Sequence, residues 1–144
     1  MNTNDLKNLI NPVCETAVQA GKVIKKHYEL KKTVLFKEDK SPLTKADLES
    51  NQLIINSLLK INKNIPILTE ESFVDWSIRK NWSTYWLVDP LDGTKEFIKE
   101  NDEFSVNIAL IENNHPVLGV IYAPTLEIIY FSYKKGGSYK LNIK

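Results

Sequence analysis

Two aspartates stand three residues apart at the end of an apolar run, in Trp86-Leu87-Val88-Asp89-Pro90-Leu91-Asp92-Gly93-Thr94. Pro90 blocks a strand from continuing and presets a turn, which predicts that Asp92 folds back beside Asp89. Ionised carboxylates that close repel, and one must take a proton unless a cation lies between them. Hard oxygen ligands at a strand end suit Mg²⁺, which takes few protein ligands and keeps several waters. The Leu91 carbonyl can add a ligand. Gly93 lets the backbone approach a bound group closely, and Thr94 offers both an N–H and a hydroxyl. A short helix starting near Thr94 would turn free N–H groups toward a phosphate. The plain alternative is an Asp-Pro turn with an Asx cap. Further acids weigh against it. Glu70-Glu71 follows the short apolar run Pro66–Thr69, and Asp47 falls in the first turn of a predicted helix. Acids at strand and helix ends are where a two-metal site assembles. Asp47 can also serve as a simple helix cap, and the two roles are compatible.

The elements that must position these groups follow from patterning. The chain has 144 residues, 42% hydrophobic and 26% charged, which suits one globular domain with a real core. Its net charge of +1 provides no overall field for nucleic acid or an anionic membrane, so any phosphate binding must be local. No apolar run is long enough to span a bilayer, and the first residues lack the pattern of a signal peptide, which points to the cytoplasm. The single cysteine, Cys14, excludes an internal disulfide and reads as a small core residue.

Leu6, Leu9, Ile10, Val13, Ala17, Ala20 and Ile24 have helical spacing. With Asn11 as N-cap and Pro12 at the first helical position, the helix is expected from Pro12 to Glu29. Thr33–Phe36 reads as a short strand and Glu38–Pro42 as a polar loop. Thr44-Lys45-Ala46-Asp47 resembles a capping box that opens a second helix, with Leu48, Ile55, Leu58 and Leu59 as its buried stripe. Pro66–Thr69 is a brief strand, Phe73–Ser83 holds one or two helical turns, and Tyr85–Val88 is a fully apolar strand. Four more strands follow, over Phe104–Ile111, Val117–Tyr122, Glu127–Tyr133 and Ser138–Leu141, separated by Asn-, Pro- and Gly-containing turns. The class is α+β, with two long helices packed on a largely antiparallel sheet and no linker dividing residues 1–144. His27 and His115 read as surface residues.

The segments Ser41–Asp47, Leu68–Ser72 and Trp86–Thr94 together resemble the lithium-sensitive, Mg²⁺-dependent phosphatase superfamily of inositol monophosphatase. Inositol monophosphatases usually follow the Gly-Thr with another Thr or an aromatic, then Asn-Phe. Here Lys95-Glu96-Phe97-Ile98 follows, and with Phe104–Ile111 and Gly119–Pro124 it is similar to the CysQ-type 3′(2′),5′-bisphosphate nucleotidase branch. The resemblance implies the N-terminal half of a layered αβαβα sugar-phosphatase fold. It implies Mg²⁺ held by Glu70, Asp89, Asp92 and the Leu91 carbonyl. Asp47 and Thr94 would orient and deprotonate the attacking water. Gly93 and Thr94 would cradle the phosphate, next to Glu70, Leu91 and Asp92 on the substrate side. The implied reaction releases the 3′-phosphate of 3′-phosphoadenosine 5′-phosphate and leaves AMP. An inositol or sugar phosphate substrate is the near alternative, against which Lys95-Glu96-Phe97 argues. A non-catalytic metal- or phosphate-binding remnant is the distant one. A nucleic-acid module is disfavoured because the basic residues are scattered among acids, as in Glu38-Asp39-Lys40. The resemblance allows a peripheral role at a bacterial inner membrane.

Members of that family run to roughly twice this length. Their second half supplies a Trp-Asp-x-Ala-Ala segment, whose Asp is a further ligand, and most of the base-binding surface. No Asp follows Asp102 here. The sequence is therefore expected to be a fragment, the N-terminal part of a longer product or a truncated gene. Little turnover is expected of it alone, together with an apolar face that promotes homodimers or aggregation.

Overall fold

A reciprocal cap starts the first helix. The Asp5 N–H donates to Asn2 Oδ1 at 2.9 Å, and the Asn2 N–H donates to Asp5 Oδ2 at 3.0 Å. The computed structural model describes residues 1–33 and 42–143. Helix α1 runs over Thr3–Thr33 with Pro12 inside it, so Asn11 is not a cap and the expected start at Pro12 is corrected. Pro12 cannot donate to the Asn8 carbonyl, a loss worth about 3 kcal/mol in a helix interior. Packing overrides it. Leu6, Ile10, Val13, Ala17, Ala20 and Ile24 form one continuous buried stripe that passes Pro12 on both sides. Thr33 belongs to this helix rather than to a strand, and the rest of the expected strand and most of the polar loop lie outside the described residues.

Helix α2 spans Pro42–Ile61 and opens on Pro42, where a missing N–H is harmless. Thr44 is therefore its third residue and not its cap, and Asp47 sits in the second turn. The buried stripe is also shifted. Ala46, Ser50, Ile54 and Leu58 face inward, whereas Leu48 and Leu59 are 54% and 44% exposed. The small residues Ala46 and Ser50 take the inner face, so residue size misleads about which side is buried.

A six-stranded sheet follows in sequential order: β1 (Ile67–Thr69), β2 (Thr84–Asp92), β3 (Ser105–Glu112), β4 (His115–Ala123), β5 (Ile128–Tyr133) and β6 (Gly137–Asn142). β1 and β2 are parallel, joined through the single-turn helix α3 (Trp76–Arg79), and every other pair is antiparallel. Asn113 and Asn114, at φ 49° and 64°, form the two-residue hairpin loop that joins β3 to β4. Helix α4 (Thr94–Lys99) starts where the sequence places a short helix.

Helix α1 packs on α2 and on β3, β4 and β5, while α2 packs on β2. Beneath them lie Trp86, Val88, Ile108, Leu110, Val120 and Ile129, all fully buried. Cys14 packs half-buried against this core. His27 is buried too, against expectation, because it bridges the helices through a 2.9 Å bond from Nε2 to Glu49. Among the described residues, no helix packs on the other face of the sheet. Leu87, Ile121 and Tyr130 are 43%, 48% and 42% exposed there, beside a groove of about 420 Å³. This is the expected apolar face. No helix among the described residues is long and apolar enough to cross a membrane.

Candidate active site

Asp89 and Asp92 do come together, but a bulge does it rather than a turn. β2 does not stop at Pro90. Asp89 is opposite Asn107 and Asp92 is opposite Ser105, so three steps on β2 match two on β3. In a regular strand, residues three apart point to opposite faces. The extra residue cancels that alternation. Pro90 and Leu91 both turn into the core, and Asp89 and Asp92 are left on the open side. A bulge is also where a ladder tolerates a residue with no N–H to donate. The Leu91 N–H donates to Asp89 Oδ1 at 3.2 Å, and Asn107 Nδ2 donates to Asp92 Oδ2 at 3.0 Å.

The other acids come from the two elements beside this bulge. β1 extends through a 3.3 Å bond from the Glu70 N–H to the Val88 carbonyl, which brings Glu70 to the same groove as Asp89. Asp47 comes from α2. Ser50 and Asn51 lie three and four positions after Asp47, on its side of the helix. Ser50 Oγ donates to the Pro90 carbonyl at 2.8 Å, inside the bulge. Asn51 Oδ1 accepts from Thr69 Oγ1 at 2.7 Å, and Thr69 Oγ1 in turn accepts the Glu71 N–H at 2.9 Å. Ser50, Asn51 and Thr69 are buried. These bonds therefore tie α2 to both acid-bearing strand ends in a setting where an unpaired polar group would be costly.

The charges reveal how the acids group. Burial first, then Glu71, Asp89 and Glu70, push Asp47 up to about 7. Burial first, then Glu70 and Asp92, push Asp89 up to about 6, against a smaller opposing effect of the Leu91 N–H. Glu71 thus acts most on Asp47, and Glu70 most on Asp89. Among the described residues, no Lys, Arg or His forms an ion pair with any of these five acids. No three of them converge tightly enough to make a closed cation cage there. A set of uncompensated hard oxygen donors that pushes Asp47 and Asp89 up is nevertheless what a divalent cation would relieve.

Gly93 caps α4 at φ 91°, and a side chain there would meet the Glu103 carbonyl oxygen at 2.7 Å. Only glycine fits both requirements. Phe97 anchors α4 by packing its ring 5.3 Å from Tyr28 and 5.4 Å from Phe104. Thr94 is exposed at the first position of α4, and among the described residues no hydrogen bond joins it to Asp47. Leu91 has its side chain in the core. Ser50 and Asn51 have no local mark of a site role in the sequence, and Thr69 and Asn107 stand there only as parts of the segments Leu68–Ser72 and Phe104–Ile111. The available signal was two adjacent polar residues, Ser50 and Asn51, one turn beyond an acid in an amphipathic helix.

Helices on one face of this sheet and an acid-lined bulge at its parallel end define a class. Residues 5–143 match the inositol monophosphatase family, and the chain belongs to it. Within that family it is similar to the CysQ 3′(2′),5′-bisphosphate nucleotidases. That of Salmonella typhimurium is 48% identical over 126 residues, which are 86% of this chain and 51% of that protein. That of Escherichia coli K12 is 45% identical over 134 residues, covering 92% and 54%. The crystal structure of CysQ from Bacteroides thetaiotaomicron matches with a TM-score of 0.87 at 42% identity, over 98% of this chain and 51% of that one. The chain spans about half the length of the curated relatives it matches.

Proposed function

We propose that this chain carries the metal- and phosphate-binding part of a Mg²⁺-dependent 3′(2′),5′-bisphosphate nucleotidase that converts 3′-phosphoadenosine 5′-phosphate to AMP and phosphate. The observation that carries this reading is the bulge that sets Asp89 and Asp92 side by side next to Glu70. The names of the CysQ relatives supply the substrate class. Glu70, Asp89, Asp92 and the Leu91 carbonyl would hold Mg²⁺. When bound, the ion supplies neutralising charge to the attacking and leaving oxygens of a phosphoryl group. Asp47, grouped with Glu71, Asp89 and Glu70, would be the base that takes a proton from the attacking water. The Thr94 hydroxyl orients that water, and Gly93 brings the backbone N–H groups of the α4 start close to the phosphate. Lys95-Glu96-Phe97 favours a nucleotide over an inositol phosphate.

The open apolar groove favours a second reading, in which the same acids bind metal and phosphate without turnover because water is not excluded. One experiment separates the readings. Phosphate release from 3′-phosphoadenosine 5′-phosphate is followed with and without Mg²⁺, beside inositol monophosphate and the Asp89→Asn variant. Mg²⁺-dependent release from the nucleotide, abolished in the variant, is the expected result for the enzyme. Metal binding without release supports the second reading. Faster release from inositol monophosphate would overturn the nucleotidase assignment.

A further inference from the structure

Asn107 is a neutral side chain that spans the bulge from the β3 side. Its backbone is opposite Asp89, while its side-chain amide reaches to Asp92. Ser105, two residues back on the same face and opposite Asp92, donates from Oγ to Asn107 Oδ1 at 3.1 Å. Hydroxyl donation to Oδ1 leaves only the Nδ2 end to face the carboxylate, so the amide orientation is fixed by its partners. The bond to Asp92 Oδ2 is a donation from a neutral group to an anion, with a strength above that of a neutral pair. It engages Oδ2 of Asp92, and among the described residues no hydrogen bond engages Oδ1.

We propose that Asn107, oriented by Ser105, is a positioning residue that presents Asp92 Oδ1 to the divalent cation. This rests on the reading of Asp89 and Asp92 as a metal pair. Asp92 is exposed at a strand end and would otherwise sample several rotamers. Asn107 removes that freedom and adds no charge to a crowded acidic site. Partners that orient a metal ligand from behind typically contribute about 10–100-fold in affinity.

The test uses the 144-residue chain and Mn²⁺ as a paramagnetic stand-in for Mg²⁺, with affinity read by electron paramagnetic resonance. Asn107→Ala is expected to weaken Mn²⁺ binding by about 10–100-fold while the metal-free chain keeps its fold, read by circular dichroism. Ser105→Ala is expected to weaken it less. In the Asp92→Asn background, Asn107→Ala is expected to cause no further loss, because its effect runs through Asp92. Equal affinity in Asn107→Ala, or a full additional loss in the Asp92→Asn background, overturns the inference. A wild-type chain that binds no Mn²⁺ would instead defeat the reading of the metal pair. A metal-free arm keeps the two failures apart. With ¹⁵N-labelled asparagine, the Asn107 Nδ2 protons are expected downfield and slowly exchanging, and Asp92→Asn moves them upfield. An amide signal indifferent to Asp92 overturns the positioning role whether or not metal binds.

Discussion

The two faces of the sheet are built from the same strands and obey different rules. On the helix side, Trp86, Val88, Ile108, Leu110 and Val120 are sealed under α1 and α2. On the open side, the intervening residues of those strands are Leu87, Asp89, Asn107, Ala109, Gly119 and Ile121, which line a groove. One face is apolar and full, and the other is apolar in the middle and acidic at one end. A two-residue alternation produces this division without any special sequence. The candidate site needs one break in that alternation, and β2 supplies it at Pro90-Leu91. The stable face therefore fixes the register, and the bulge places chemistry on the face that stability leaves free.

The largest expected effect sharpens this contrast directly. Leu110→Ala on the sealed face should destabilise the chain by about 3 kcal/mol, by lost transfer energy and the cavity left behind. Leu87→Ala on the open face should cost less than about 1 kcal/mol, since much of that side chain is already in water. Urea titration of both variants measures the difference. Equal losses would break the comparison and mean that the open face is covered in solution, for example by a second copy. The next effect concerns the end of the bulge. Gly93→Ala forces a side chain into a left-handed backbone and against the Glu103 carbonyl. It should cost about 2 kcal/mol and displace the start of α4. A neutral result in the same titration would show that this turn is not held as described.

Much of this was legible in the sequence, for reasons that can be named. The four later strands announce themselves by apolar runs separated by turn residues, and Asn113-Asn114 is strong hairpin chemistry. The acids at 47, 70, 89 and 92 are legible because their spacing is unusual for a plain surface. The failures share a cause, which is that tertiary packing overrides a local rule. Pro12 looks like a helix start, but a buried stripe carries α1 through it. Pro90 looks like a strand end, but the ladder accepts it at a bulge. Leu48 and Leu59 look buried, but Ala46 and Ser50 face inward and put them outside. His27 looks exposed, but Glu49 on the neighbouring helix gives it a partner. Ser50 and Asn51 hold the site together through bonds to residues 18 and 40 positions away, which no local pattern displays.

A smaller effect distinguishes the acidic end of the open face from the rest. Asp47 and Asp89 have folded values of about 7 and about 6, raised from 3.8. Between these limits the folded chain binds more protons than the unfolded chain. Stability is therefore greatest at the acidic side of the window, falls as pH rises toward 7, and levels off above it. Both groups are only half-buried, so the discounted effect is about 3–5 °C in melting temperature between pH 5 and pH 8 without metal. Asp47→Asn should flatten most of that slope. Saturating Mg²⁺ should raise the melting temperature more at pH 8 than at pH 5, because binding favours the deprotonated acids. A metal-free chain that becomes more stable from pH 5 to pH 8 would contradict the grouping of these acids.

The smallest effect tests the middle of the open face. Gly119 lies mid-strand in β4, between Ala109 and Ser132, and a Cβ built on it meets nothing within 4 Å. A strand glycine costs about 0.5–1 kcal/mol relative to alanine, chiefly through the freedom it loses on folding. Nothing among the described residues requires a glycine at this position, unlike Gly93. Gly119→Ala should therefore be neutral or stabilising by up to about 0.5–1 kcal/mol in dilute solution. The outcome should also be read against protein concentration. If a second chain or another polypeptide packs closely over the groove, the added methyl enters that contact, and the variant becomes destabilised as concentration rises. A gain that is constant at every concentration would show that the open face stays open.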